Sequence, residues 1–383
     1  MFYRFFVLLL LLPALHSCAG RGTPHQHSFY YWKTSFPYTD TATEQKIQKM
    51  GVNHFYIRYL DVDWNEALDV PMPKGQLTPY NSGPFTAGKY TPVIFITNRT
   101  FERISDAWID SLAAKITKSV DAMNIEMEKN VVLAQPMREM QARHHGNERT
   151  TTSPTHEEQG LDTVRTSQDS LVRHFPSELQ IDCDWTATTR DKYFRFLEKL
   201  KVRNPGKTIS VTVRLYPYKY RKKMGIPPAD RGMLMCYNMG NIKSENTRNS
   251  IFDLDEMNKY LDDGSYPLPL DIALPIFSWQ VWFRGGKFKA IVHNAIYCEG
   301  NSRTFTRLND NYFRINIDTV INDAYYREGD EIRTEAPDAK QLLRAADLLT
   351  KKIPGYGRLT FFDWDNNSIV KYEQTIQAVF NKY

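Results

Sequence analysis

The stretch Glu178-Leu-Gln-Ile-Asp-Cys-Asp-Trp-Thr186 sets two carboxylates, Asp182 and Asp184, two residues apart at the end of an apolar run. In a β-strand, residues two apart leave from the same face, so both acids project together. At the C-terminal end of a parallel strand, that is where α/β barrels place their chemistry. The same residues would also serve as an Asx-rich turn opening the next helix. Two acids this close raise the pKa of one unless a cation compensates, and Arg58 and Arg214 are candidates for that cation. Further aspartates, Asp61 with Asp63 and Asp363 with Asp365, end two other apolar runs. Trp32, Trp185, Trp279 and Trp364 fall near the same kind of strand end. There an indole face can stack on a sugar ring or simply pack.

The elements that must position these residues follow from periodicity. Runs of β-formers are expected as strands at 29–36, 54–64, 91–97, 178–186, 208–216, 231–239, 270–279 and 358–364. Between them lie helical stretches, among them Ile104 to about Glu128 with apolar Trp108, Leu112, Ile116, Val120 and Met127 on one face. Residues from about 136 to 170 are rich in Gln, Arg, His, Thr and Glu without a period, which reads as an exposed insertion or a disordered loop before strand four rather than a domain. Val281 to Val292 reads as a hairpin turning at Gly285-Gly286, an extension after strand seven. Eight strands, most followed by a helix, favour one (β/α)8 barrel spanning 29–383, with a doubly wound open sheet as the alternative. No glycine-rich phosphate loop follows any strand.

Composition narrows the partners. The 383 residues include 22 Tyr, 21 Phe and 7 Trp, an excess of aromatics that suits stacking on rings as well as core packing. A net charge of +5 is mild for this length, and the basic run Tyr218 to Lys223 reads as a solvated loop rather than a nucleic-acid site. Cys183, Cys236 and Cys298 form no disulfide or zinc pattern, and His144 and His145 sit in the polar stretch without metal-site spacing. No cofactor or metal is therefore expected. At the N-terminus, Arg4 precedes an apolar run from Phe5 to Leu15 that is too short to span a bilayer. It ends in Leu15-His-Ser-Cys18, which resembles a bacterial lipoprotein signal. That reading removes residues 1–17, lipidates Cys18, makes 18–28 a tether and places the protein at the bacterial cell envelope. Plain secretory cleavage nearby is the alternative.

Taken together, the strand ends resemble the barrel of family 18 glycoside hydrolases, the chitinases and endo-β-N-acetylglucosaminidases. That family ends its fourth strand Asp-Gly-x-Asp-x-Asp-x-Glu, and Leu179 to Thr186 keeps the last two aspartates as Asp182 and Asp184. Met235-Cys-Tyr-Asn238 matches the family's Met-x-Tyr-Asp, Leu274-Pro275-Ile-Phe277 its strand-seven pattern, and Trp364 the Trp ending strand eight. A closer likeness is to a bacterial group with the same barrel. It shares the segments Tyr56 to Trp64 and Arg327 to Arg333, the latter expected as a solvated turn.

The resemblance implies a glycan ligand, with Asp184 and Tyr237 placing its acetamido group, Asp182 tuning Asp184, and Asn238 beside them. The departure lies at Thr186, where the family has its proton-donating Glu. A hydroxyl cannot donate a proton near neutral pH as a raised-pKa carboxylic acid can, and losing a general acid costs roughly two to four orders of magnitude in rate. Glu178 lies roughly 25 Å away toward the barrel bottom at about 3.3 Å per residue. Asp61, Asp63, Asp363 and Asp365 remain as relocated acids. Two readings stay open: a hydrolase with an unusual acid, acting on glycans that contain N-acetylhexosamine, or a glycan-binding protein that has lost catalysis. A purely structural role would bury these aspartates in ion pairs with no open cleft.

Overall fold

The computed structural model describes residues 25–37, 41–80, 82–86, 88–146, 175–261, 264–292 and 295–383, excluding the side chains of 41 and 131–146. The expected signal segment, Cys18, most of the tether, the side chains of His144 and His145, and the polar stretch 147–170 lie outside that description.

Eight parallel strands close on themselves. They are β1 (Gln26–Tyr31), β2 (His54–Asn65), β3 (Lys89–Ile96), β4 (Glu178–Asp182), β5 (Thr208–Arg214), β6 (Arg231–Met235), β7 (Leu270–Pro275) and β8 (Arg358–Phe362). Each pairs with its sequence neighbour, and β1 pairs with both β2, Ser28 opposite His54, and β8, Gln26 opposite Arg358. That double pairing makes the sheet a (β/α)8 barrel rather than an open, doubly wound one. Helices follow most strands: α1 (Thr41–Lys49), α2 (Asp106–Gly146), α3 (Arg190–Arg203), α4 (Leu254–Tyr260), α5 (Ala339–Lys352) and α6 (Asn366–Lys382). Helix α2 runs into the stretch expected to be an insertion from 136, because Met, Arg, Glu, Gln and Ala there are good helix formers. Asp338 and Asp365 cap α5 and α6 by accepting backbone N–H bonds of their first turns.

The strand period of two sorts every side chain. Phe29, Phe55, Ile181, Val211, Leu234, Leu274 and Phe361 are buried in the main hydrophobic core. Tyr30, Tyr56, Val93, Met233, Tyr237 and Ala273 form a separate cluster. The lower barrel is polar. Arg358 donates to Glu178 at 2.6 Å and to the Tyr56 hydroxyl at 2.7 Å. Asp271 accepts from Arg231 at 2.7 Å and from the backbone N–H groups of Gly357 and Arg358. Glu178 is therefore a floor residue, 7% exposed in its side chain, at the opposite end from Asp184.

Several strands stop short of their expected ends, β1 at Tyr31 rather than 36, β6 at Met235 rather than 239 and β7 at Pro275 rather than 279. β5 stops at Arg214, where the chain turns directly into the helix Leu215–Lys219. β1 begins three residues early, at Gln26, because its register against β8 starts there.

After β7 the expected hairpin forms, Trp279–Arg284 against Lys287–Val292, with Gly285 and Gly286 both at positive φ as a tight two-residue turn requires. It belongs to a five-stranded antiparallel sheet completed by Phe305–Arg307, Tyr312–Ile315 and Glu331–Glu335. The segment Arg327 to Arg333 is an exposed turn only as far as Gly329; Asp330 is buried, and the strand begins at Glu331. Arg333 is fully buried, donating to Glu335 at 2.6 Å and to the carbonyls of Ser244 and Ile242. Alternation explains it: in this strand Ile332 faces the small apolar core of the insertion, and Arg333 faces the barrel loop.

Removing one partner of a buried ion network strands the other, at a cost of about 3–5 kcal/mol. Arg358→Met is expected to lower the unfolding free energy by about that much in urea titration, while Lys49→Met, an exposed pair with Glu373, changes it by less than about 1 kcal/mol.

Candidate functional site

At the C-terminal end of the barrel, β4, β5 and β6 bring three groups into contact. Asp182 is the last residue of β4 and points inward, almost fully buried, with the Thr212 hydroxyl of β5 donating to it at 2.6 Å. Asp184, two residues on, is half exposed and accepts from Arg214 at 2.9 Å. Arg214 also donates to the backbone carbonyl of Asn238 at 2.7 Å. Asn238 sits at φ +53°, a conformation that asparagine tolerates better than most residues and that places its carbonyl on the guanidinium. One arginine thus ties the ends of β4 and β6 across β5.

This clasp stands between two hollows that share Asp184, Arg214, Tyr237 and Asn238. The inner one, about 220 Å³, has Trp32, Phe95, Met235 and Phe362 as its apolar walls and Arg58, Asp61 and Asp182 as its charged ones. The outer one, about 410 Å³, has Trp185, Thr186, Tyr216, Lys223, Met239 and Tyr260 in its lining. The Tyr237 hydroxyl is buried with no hydrogen-bond partner among the described residues, and burial pushes its pKa well up, helped by Asp182, Asp184 and Asp363. Leaving such a group unpaired costs about 1–3 kcal/mol, which an acceptor on a ligand would relieve.

The remaining candidates fall into different places. Asp61 lines the inner hollow but is held by Arg58, whose Nε donates at 2.6 Å. Arg58 in turn lies over the Trp32 ring, 5.4 Å from its centroid. Burial pushes Asp63 up, but bonds from Arg99, Thr97 and the Trp64 N–H outweigh it and hold its carboxyl below the usual range. Asp365 caps α6 and pairs with Lys33 at 2.9 Å. Asp363 is raised to about 6, chiefly by burial, yet lines neither hollow.

Among the tryptophans, Trp32 alone presents its ring to the inner hollow. Trp185 is buried with its indole N–H on the Met224 carbonyl at 3.1 Å and its ring stacked on Tyr193. Trp279 donates to Glu335 at 2.9 Å. Trp364 is buried edge-on against Phe29, Phe55 and Phe85, on the helix side of the barrel wall. The aromatic that β8 does send to the mouth is Phe362, two positions earlier, which together with Phe95 escaped the sequence reading. Alternation counted from buried Phe361 would have found it. Thr186 spends its hydroxyl on Thr188 at 2.9 Å and Thr189 at 3.2 Å.

No family model matches the sequence, and no curated protein matches it. Solved structures match over most of their length at low identity. A chitinase from Chromobacterium violaceum is 12% identical with a TM-score of 0.47, covering 92% of this chain and 99% of its own. The spore cortex-lytic enzyme SleL of Bacillus cereus is 13% identical at 0.45, covering 94% and 75%. A xylanase and α-amylase inhibitor protein from Scadoxus multiflorus is 8% identical at 0.42, covering 94% and 98%. Likeness this distant assigns no activity; the barrel itself rests on its strand pairing.

The mouth has one electrostatic signature open to measurement. Burial, and secondarily Asp184, raise Asp182 to about 7. A carboxyl raised in the folded state stays protonated there while the unfolded chain has released its proton. Stability therefore falls as pH rises from about 4 to about 7 and levels off above that. Asp182→Asn abolishes this loss. Its unfolding free energy is expected to gain roughly 3–4 kcal/mol on wild type between pH 4 and pH 8, and parallel curves in urea titrations across that range would exclude the raised pKa.

Proposed function

We propose that the barrel mouth binds a glycan without hydrolysing it, N-acetylhexosamine-containing chains being the first candidates. The observation that carries this reading is the pairing of Asp184 with Arg214 beside a threonine where a proton donor would stand. Asp184 is neutralised by a guanidinium, and Thr186 is engaged with its neighbouring threonines. What the mouth offers instead suits recognition. Trp32, Phe95 and Phe362 give apolar faces for a pyranose ring, and the unpartnered Tyr237 hydroxyl can donate to an acetamido carbonyl.

One observation favours a hydrolytic second reading: Asp182 is raised to about 7 and lines the inner hollow, so it holds a proton near neutral pH. Incubation with a glycan array and a panel of chromogenic glycosides separates the two. Binding without product release is expected. Trp32→Ala is expected to weaken the binding about tenfold, the equivalent of about 1.4 kcal/mol of lost ring contact. Turnover that disappears in Asp182→Asn would replace the binding reading with the hydrolytic one, and a blank array would remove both.

Attachment to the bacterial envelope through a lipid on Cys18 belongs to the same proposal and rests on the Leu15 to Cys18 pattern. The full chain expressed in a bacterium is expected to partition into detergent in phase separation, and Cys18→Ala is expected to move it to the aqueous phase. A wild-type chain found in the aqueous phase would refute the anchor.

A further inference from the structure

The outer hollow is built differently from the inner one, and its charges do not cancel. Its lining contains one carboxylate, Asp184, and two cations, Arg214 and Lys223. Arg214 is satisfied by Asp184 at 2.9 Å and by the Asn238 carbonyl. Lys223 is exposed, and its ammonium meets no carboxylate among the described residues. It stands on the short helix Arg221–Met224, which the chain reaches directly from β5 through Leu215–Lys219. The position is held from behind: Arg190 donates to the Lys223 carbonyl at 3.3 Å, and Trp185 donates to that of Met224. Two tyrosines complete this lining. Tyr216 is 43% exposed, and Tyr260 has the Lys219 ammonium 5.7 Å from its centroid, adding positive potential to that wall. A hollow with an exposed phenol ring and an uncompensated ammonium is complementary to a sugar ring that carries a negative charge.

We propose that the outer hollow is a subsite for a carboxylate-bearing sugar residue, its acid paired with Lys223 and its ring against Tyr216. This rests on the glycan-binding reading of the inner hollow, since the two share Asp184, Arg214, Tyr237 and Asn238 and one oligosaccharide would cross the clasp between them. The carboxylate distinguishes the ligand from a neutral chain of the same shape. A ligand acid meets no competing carboxylate at Lys223 among the described residues, since Asp184 is held by Arg214.

The test is calorimetric titration of the full chain with saccharides that differ only in charge. One pair is N-acetylglucosaminyl-N-acetylmuramic acid and its primary carboxamide, which places the acid on a lactyl ether. The other is tetragalacturonate and its methyl ester, which places it on the ring. For at least one pair, the acid is expected to bind about tenfold more tightly than its neutral twin at low salt, with the advantage shrinking as salt is raised. Lys223→Gln is expected to bring the acid down to the affinity of the neutral form, whereas Lys222→Gln, an exposed neighbour that lines neither hollow, keeps the difference. Equal binding of acid and neutral twin by the wild type, or an advantage that survives Lys223→Gln, overturns the subsite and leaves the glycan reading standing. Failure of every saccharide, charged or neutral, to bind overturns the glycan reading and the subsite with it.

Discussion

The constraint on which everything else depends is the two-residue period of a strand that cannot slip. Once β1 is bonded to β2 on one side and β8 on the other, every strand is locked in register, and each side chain is committed to the interior or to the helices. Asp182 then faces the barrel and Cys183 the helices. Tyr237 goes in while Cys236 goes out, and Phe362 goes in while Phe361 goes out. A closed barrel with such residues inside cannot fill its lower half with hydrocarbon, so ions fill it. Arg358, Glu178, Asp271 and Arg231 bond one another in a largely buried network. That is a poor source of net stability, but it ties the starts of β4, β6, β7 and β8 together.

At the other end the same geometry concentrates charge that must be neutralised. Asp182 and Asp184 leave one face of one strand, and their mutual repulsion is resolved asymmetrically. The buried one keeps a proton to about neutral pH, and the half-exposed one takes an arginine from the next strand. The arrangement is self-consistent without a ligand. The guanidinium is in place before any ligand arrives, and apolar ring faces with a few oriented polar atoms line the mouth around it.

Most of the fold was legible because the strand signals are long and rich in β-formers. All eight barrel strands lie where the sequence places them, to within a few residues at their ends. The aspartate pair was legible too, since a spacing of two has one meaning in a strand. What the sequence hid were facts about partners distant in the chain. Trp364 looked like a mouth residue because it follows a strand, yet the turn after β8 sends it back over Phe29 and Phe55. Arg333 looked solvated among its charged neighbours. Its burial depends on Glu335 and on two carbonyls of a loop some ninety residues earlier. The Arg214 clasp was half visible as a nearby cation, but the Asn238 carbonyl that completes it depends on a positive φ that no local pattern announces.

The buried pair in the inserted sheet has a mechanical consequence. Arg333 grips the carbonyls of Ile242 and Ser244, and Glu335 accepts from the backbone and hydroxyl of Ser250, so the loop after β6 is fastened at both of its ends to a rigid sheet. That loop begins at Asn238 and Met239, which form a wall of the outer hollow. An incoming ligand therefore meets a wall already set, and little ordering entropy is lost on contact. Shallow, polar contacts that would be too weak on a mobile loop can hold a ligand on a braced one.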